Sequence, residues 1–274
     1  AVLTSADSWY WQDLQRAAGD RHQLECFSFS SLRTSLSNSA TAPIAAGAES
    51  LVHYDGLLVR SMPPGSLEQV VFRMDVLGQL ERNRTVVLNP ARGLETAIDK
   101  YLTLARLAEQ GLPVPDTITC QSWRDAMEAF ELLDEDVVVK PIFGGVGRGI
   151  TRINDASLAL RAFKMLEQLG AVIYVQRFIA HNGFDCRLLV IGNQVLGVRR
   201  QNASDWRTNV SLGATTEKME VTDEMTTMAR QAAAAVNCPL AGVDLLPAQD
   251  GRWYLLEVNA VPGWKALAST LGLD

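Results

Sequence analysis

The segment AGVDLLPAQDGRWYLLEVN, residues 241–259, reads as two apolar runs joined by a Gln249–Asp250–Gly251 turn, the pattern of a β-hairpin. Side chains alternate across a strand, so Glu257 and Asn259 share one face while Leu256, Val258 and Ala260 share the other. The partner strand can bring Asp244 to the face that carries Glu257 and Asn259. Three oxygen-bearing side chains set in apolar strands are costly unless something cationic balances them. Two carboxylates and a carboxamide suit magnesium, which keeps waters and completes its shell with nucleotide phosphates. A buried carboxylate paired with a lysine or arginine, beside a solvated edge, is the other reading. The hairpin by itself does not separate the two.

Upstream, residues 185–191 and 194–200 form a second hairpin around Gly192–Asn193, and a helix is expected over 223–236. Asp185 and Arg187 are two apart on one strand and therefore share a face. Arg199 and Arg200 end the partner strand, with Arg207 and Asn209 in the loop beyond. Guanidinium groups gathered in an acidic protein suit a carboxylate or phosphate ligand. A solvated arginine-rich edge is the alternative.

Residues 140–150, KPIFGGVGRGI, place Gly144, Gly145 and Gly147 directly after a strand that ends at Lys140. Glycines let backbone N–H groups approach phosphate oxygens, and Lys140 supplies a point charge. The order is not that of a P-loop, and the turn leads into a strand over 149–153. The gap after the strand at 137–140 is too short for a crossover helix, so these two strands should be antiparallel. A flexible hairpin turn remains the plain reading. After a strand over 172–176, the run Gln176–Arg177–Phe178–Ile179 can line a purine pocket through backbone amides or simply be core.

The first ninety residues alternate strands (1–5, 24–29, 56–59, 85–88) with helices (7–19 and 66–80), which implies a small parallel α/β sheet. In the second of these helices Leu67, Val70, Val71, Met74, Leu77 and Leu80 fall at helical spacing. One further helix is expected over 94–110, stopped by Gly111 with prolines at 113 and 115. A strand over 117–120 and helices over 123–133 and 156–169 follow. The fold class is thus α/β followed by α+β, in regions 1–93, 94–175 and 176–274.

With 25 Lys and Arg against 31 Asp and Glu, the net charge of −6 speaks against a nucleic-acid or membrane-surface binder. Cys26, Cys120, Cys186 and Cys238 show no metal-ligand or disulfide spacing, and no run of eighteen apolar residues occurs. A cytoplasmic protein with reduced thiols is expected. The three histidines make no triad or metal pattern and no GxSxG is present, so reaction by positioning and charge stabilisation is expected.

In chain order, Lys100, the Lys140 glycine turn, Gln176–Ile179, Asp185-x-Arg187, Arg207-x-Asn209, Asp244 and Glu257-x-Asn259 resemble the ATP-grasp superfamily, and more narrowly the RimK-type amino-acid ligases. The strings DCRL, RTN, AGVD and LEVNAVPG carry most of the resemblance, which in the N-terminal part rests on Val59–Arg60 and Leu88–Asn89–Pro90. It implies an ATP-grasp fold preceded by a parallel pre-ATP-grasp domain, with a glycine-rich lid in the middle region. Lys100 and Lys140 would contact the phosphates of ATP, with Gly144, Gly145 and Gly147 closing over them. Gln176, Arg177, Phe178 and Ile179 would meet the adenine, and Asp185 the ribose. Asp244, Glu257 and Asn259 would hold two magnesium ions, for which manganese could substitute. Arg187, Arg207 and Asn209 would face an acyl phosphate and the amino acid.

Arg177 stands where relatives often carry glutamate, and Gly213–Ala214 where they commonly show Gly-Gly. The implied reaction is ATP-dependent amide formation, adding glutamate to a coenzyme precursor or a protein C-terminus; a homo-oligomer is common among such soluble enzymes. Another amino acid on a carrier protein, or a non-catalytic ATP-binding module, are the alternatives.

Overall fold

The computed structural model describes residues 1–36, 43–145 and 147–273. Its first ninety residues run β1 (Val2–Leu3), α1 (Trp9–Ala18), β2 (Cys26–Phe27), β3 (Leu32–Thr34), β4 (Ile44–Ala46), β5 (Glu49–Ser50), β6 (Gly56–Val59), α2 (Leu67–Arg82) and β7 (Val86–Leu88). Strands β2-β1-β6-β7 make the expected parallel sheet. The small antiparallel sheet β3-β4-β5 is an addition. Its strands are too short to show an alternation. Helix α2 opens with a reciprocal capping box between Ser66 and Gln69. Met74, Val76, Leu77 and Leu80 form its buried side, whereas Leu67 and Val71, expected on that stripe, are exposed.

The chain continues through α3 (Ala91–Ile98), α4 (Lys100–Glu109), β8 (Thr117–Cys120), α5 (Trp123–Leu132), β9 (Val137–Lys140), β10 (Thr151–Ile153), α6 (Ala156–Gln168) and β11 (Ile173–Arg177). The one helix expected over 94–110 is in fact two. Asp99 is extended (φ −94°, ψ 108°), and its side chain accepts from the Leu102 N–H at 3.0 Å, restarting the helix with Lys100 in its first position. The sheet β10-β9-β11-β8 is antiparallel, including the expected β9–β10 pair.

The last third holds β12 (Phe184–Ile191), β13 (Gln194–Gln201), β14 (Thr215–Lys218), α7 (Asp223–Ala235), β15 (Leu240–Pro247), β16 (Trp253–Asn259) and α8 (Lys265–Leu271). Five antiparallel strands lie in the order β14-β13-β12-β15-β16.

Two main cores result. One runs from Leu3, Leu57 and Leu77 through Leu94 and Leu107 to Leu188, Val243 and Val258, so the N- and C-terminal sheets share it with α3 and α4. The other, around Phe130, Val137, Phe163 and Val175, belongs to β8–β11 with α5 and α6. Asn89, with no solvent exposure, ties the large core together. Its amide donates to the Leu240 and Ala260 carbonyls at 2.6 Å each, and its oxygen accepts from the Leu240 N–H at 3.1 Å. Among the described residues, no helix is long and apolar enough to cross a membrane.

Candidate active site

Strand β16 pairs with β15 so that Asp244 lies directly opposite Glu257, and Gly242 opposite Asn259. Directly opposed residues point to the same face, so Asp244, Glu257 and Asn259 are brought together as expected. Alternation fails one step further on. Leu245 pairs with Leu255, which leaves Leu256 as an extra residue in a β-bulge. Leu255 and Val258 stay in the core, while Leu256 joins Glu257 in lining a cleft. The expectation that Leu256 shares the face of Val258 is thereby corrected: the inserted residue breaks the period of two.

The polar row continues across β12 and β13. Arg187 is opposite Asp244, and Asp185 is opposite Arg200. Arg200 donates to Asp185 through Nε at 2.7 Å and Nη2 at 2.5 Å, and Nη2 also donates to Asp244 Oδ2 at 2.8 Å. Burial opposes the charge on Arg200, and Asp244 and Asp185 outweigh it and hold its pKa above the ordinary value. Arg187 Nε lies 2.9 Å from Asp244 Oδ1, and its Nη2 lies 4.0 Å from Glu257 Oε1. Asp244 Oδ1 and Arg187 Nη1 are nevertheless buried and make no hydrogen bond. Arg199 pairs with Cys186 and packs its guanidinium 3.8 Å from the Phe184 ring centroid, so it faces away from this row.

Opposite the row stands Lys140, whose Nζ donates to Gln176 Oε1 at 2.6 Å. Gln176 is in turn fixed by Thr117 Oγ1 at 2.9 Å and Tyr174 Oη at 3.1 Å. Burial lowers the Lys140 pKa from 10.5 to about 8; Glu257 and Asp244 counter part of that drop and Lys100 adds to it. Lys100 is likewise lowered by burial, and its Nζ donates to the Gly144 carbonyl at 2.6 Å, tying the first turn of α4 to the glycine turn. Gly144 and Gly147 take φ of +118° and +72°, conformations that a side chain disfavours, and Gly144 and Gly145 are exposed. Val146, inside that turn, lies outside the described residues.

Between these walls opens a cleft enclosing about 90 Å³. Lys140, Gln176, Arg177, Phe178, Ile179, Asp185, Arg207, Asn209, Asp244 and Glu257 all line it. Its apolar lining includes Val138, Ile150, Leu246 and Leu256 besides Phe178 and Ile179. The glycine turn, Lys100, Arg187 and Asn259 lie outside the lining, and the Asn259 Oδ1 accepts from the Val261 N–H at 2.8 Å.

Some expected contacts are turned elsewhere. Arg177 pairs with Asp116 at 3.1 Å and with Asp134. Arg207 is forked onto Asp205 at 2.6 Å. The Phe178 N–H donates to the Asp136 carbonyl at 2.9 Å, and the Phe178 ring is covered by the Arg152 guanidinium at 3.5 Å. Sequence reasoning did not single out Trp206 or His181, which flank Phe178 with ring centroids 5.7 and 5.8 Å away. A tryptophan between two charged residues of a polar loop was the available signal for the first; nothing marked the second. His181 is half-buried, and burial, with Arg152 adding, lowers its pKa.

Residues 97–274 match the RimK-like ATP-grasp domain. The chain belongs to the RimK-like ATP-grasp family. It is 31% identical over 273 residues, covering 88% of this chain and 84% of the relative, to a tetrahydromethanopterin:alpha-L-glutamate ligase of Methanosarcina acetivorans. To the glutamate–LysW ligase ArgX of Sulfurisphaera tokodaii it is 28% identical over 223 residues, or 79% of this chain and 77% of that one. The ATP-grasp ligase PsnB, solved with a phosphomimetic precursor variant, Mg and ADP, superposes with a TM-score of 0.77 at 22% identity, over 100% of this chain and 93% of that chain. This RimK-like ATP-grasp protein is therefore a carboxylate–amine ligase.

The residues present fit a magnesium ion. Among the described residues no three His, Cys, Asp or Glu side chains cluster to hold a metal alone. Magnesium, however, usually takes one or two carboxylates and completes its shell with water and phosphate. Asp244 Oδ1, buried and accepting no hydrogen bond, is an oxygen suited to such a cation.

Proposed function

We propose that the chain joins an amino acid, glutamate foremost, to a carboxylate acceptor, using ATP and passing through an acyl phosphate. The observation that carries this reading is a single cleft with Lys140 on one wall and Asp244 and Glu257 on the other, lined besides by the apolar side chains of Val138, Ile150, Ile179, Leu246 and Leu256. Adenine would fit among Ile179, Leu246 and Leu256, with Gln176 and the backbone near Arg177 and Phe178 as polar contacts. Lys140, Lys100 and the backbone of Gly144, Gly145 and Gly147 would receive the phosphates.

The ribose contact that the resemblance gives to Asp185 meets a carboxylate both of whose oxygens already hold Arg200. We assign Asp185 instead to positioning Arg200, which in turn holds Asp244. Asp244, Glu257 and Asn259 would hold magnesium, two ions in the fullest form and manganese as a substitute. The metal would neutralise charge on the transferring phosphate, an effect worth roughly 3–4 kcal/mol per donor.

The acceptor carboxylate attacks the γ-phosphate and ADP leaves; the amine then attacks the acyl carbon, loses a proton and expels phosphate. Arg187 offers a buried, unpaired Nη1 beside the metal-binding face, where phosphate charge develops. Arg207 and Asn209, from the loop after β13, would take the amino acid, Arg207 by exchanging Asp205 for the substrate. The glycine turn would exclude water, which would otherwise hydrolyse the acyl phosphate. Ligation onto a carrier protein is the second reading, favoured by the similarity to the glutamate–LysW ligase.

ADP release with magnesium, ATP and a panel of amino acids and carboxylates tests the proposal. Turnover that appears only when an amino acid and an acceptor are both present supports it. Tight ATP binding with no ADP release under any combination would sink it.

A further inference from the structure

Strands β8, β9 and β11 carry one polar row on the cleft side of their sheet. Gln176 pairs with Thr117 on β8 and with Val138 on β9, and Tyr174 pairs with Lys140. Directly paired residues share a face, as do residues two apart on a strand, so Thr117, Tyr174, Gln176 and Lys140 lie on the same one. The alternate residues Ile118, Val137, Val139, Ile173 and Val175 turn to the other face and pack with α5 and α6.

The hydrogen bonds of this row fix the Gln176 carboxamide from both ends. The Thr117 hydroxyl donates its proton to the Pro115 carbonyl at 2.8 Å, so toward Gln176 it can only accept. Gln176 Nε2 donates to Thr117 Oγ1 at 2.9 Å and to Tyr174 Oη at 3.1 Å. An ammonium has donors and no acceptor, so Lys140 requires the carboxamide oxygen, and its Nζ donates to Oε1 at 2.6 Å. With both N–H groups used inside the row, Gln176 offers the cleft no donor. Gln176 is 2% exposed and Tyr174 1%, so a partner lost here leaves a buried polar group bare.

We infer that Thr117 is a positioning residue for Lys140: by locking the Gln176 carboxamide, with Tyr174 as a second brace, it holds the lysine ammonium where the nucleotide phosphates would lie. This rests on the reading above that Lys140 receives phosphate. It gives a share of nucleotide affinity to Thr117, a residue that does not itself line the cleft.

Calorimetric titration of the full chain with Mg²⁺ and ADP tests the assignment in Thr117→Val, Thr117→Ser and Lys140→Gln, and in Thr117→Val combined with Lys140→Gln. Valine keeps the shape of threonine and removes the hydroxyl, and the Kd for ADP should rise about three- to tenfold, the range of one hydrogen bond. Serine keeps the hydroxyl and should stay within about twofold of wild type. In Lys140→Gln, itself weaker than wild type, adding Thr117→Val should bring no further loss, because the group that Thr117 holds is gone. Tyr174→Phe removes the second brace and should weaken ADP severalfold through the same lysine, which provides the measurement if Thr117→Val does not fold. Equal losses from Thr117→Val with and without Lys140, or wild-type affinity in both Thr117→Val and Tyr174→Phe, overturn the assignment. Weak ADP binding by Lys140→Gln in those cases leaves the phosphate reading standing. Wild-type affinity in Lys140→Gln, or no ADP binding by the wild type, removes that reading and this inference with it.

Discussion

Glu257 and Lys140 line the cleft from opposite walls, and the proposed chemistry turns on both. Glu257 lies 4.0 Å from Arg187, acts at longer range on Lys140 and Lys100, and lines the cleft, where a cation can reach its carboxylate. Glu257→Gln keeps the shape and removes the charge; turnover measured as ADP release should fall about 10²–10³-fold with an unchanged far-UV spectrum. Unchanged activity would refute the metal assignment. Lys140 gives a pH test. With its pKa near 8, the ammonium is charged below that value and lost above it. ATP affinity should be flat toward pH 7 and weaken above pH 8, approaching tenfold per unit, while Lys140→Gln binds weakly with no such slope. The same lowered pKa means that the unfolded chain binds more protons than the folded one between about pH 8 and the ordinary lysine value of 10.5. The Lys140 contribution to stability therefore improves as pH rises through that window.

At the scale of elements, two local departures from regularity shape the site. The bulge at Leu256 lets β16 keep Leu255 and Val258 in the core while presenting both Leu256 and Glu257 to the cleft. The break at Asp99 starts α4 at Lys100, and that start sets the lysine against the Gly144 carbonyl. Asp99→Ala removes the cap and should cost about 1 kcal/mol in chemical denaturation. It should also raise the ATP dissociation constant severalfold, because Lys100 loses its fixed start; an effect on stability alone would show that the cap does not govern the site. Both departures lay outside what periodicity could show. A bulge is one extra residue that a pattern of alternation cannot flag, and the apolar spacing of 94–110 runs unbroken across Asp99.

For the whole molecule, the N- and C-terminal sheets share one core and the β8–β11 unit has its own. The two walls of the cleft, Lys140 and Gln176 on one and Asp244 and Glu257 on the other, draw on both cores, which meet at β11, where Tyr174 is buried in the shared core while Ile173 and Val175 belong to the other. Asn89 stitches the shared core through three hydrogen bonds at no exposure. Asn89→Ala leaves two carbonyls and an N–H without partners and should cost about 3 kcal/mol or more. A drop in the denaturation midpoint without a change in slope is expected; an unaltered midpoint would mean that the stitch is dispensable.

What the residues determined alone were the features that depend on neighbours in the chain. The alternation in 241–259 fixed Glu257 and Asn259 on one face, the short gap after Lys140 fixed an antiparallel pair, and the glycines fixed a turn that only they accommodate. The order of these motifs was enough for the family. Tertiary structure alone decided which charges neutralise which. Asp185 answers to Arg200 and not to open solvent, Arg177 and Arg207 turn to Asp116 and Asp205, and Arg60 is left buried with Nε and Nη1 making no hydrogen bond among the described residues. Apart from Arg207 and Asp205, which are two residues apart, these pairings are set by distances across strands and loops far apart in the chain, and local sequence carries no record of them.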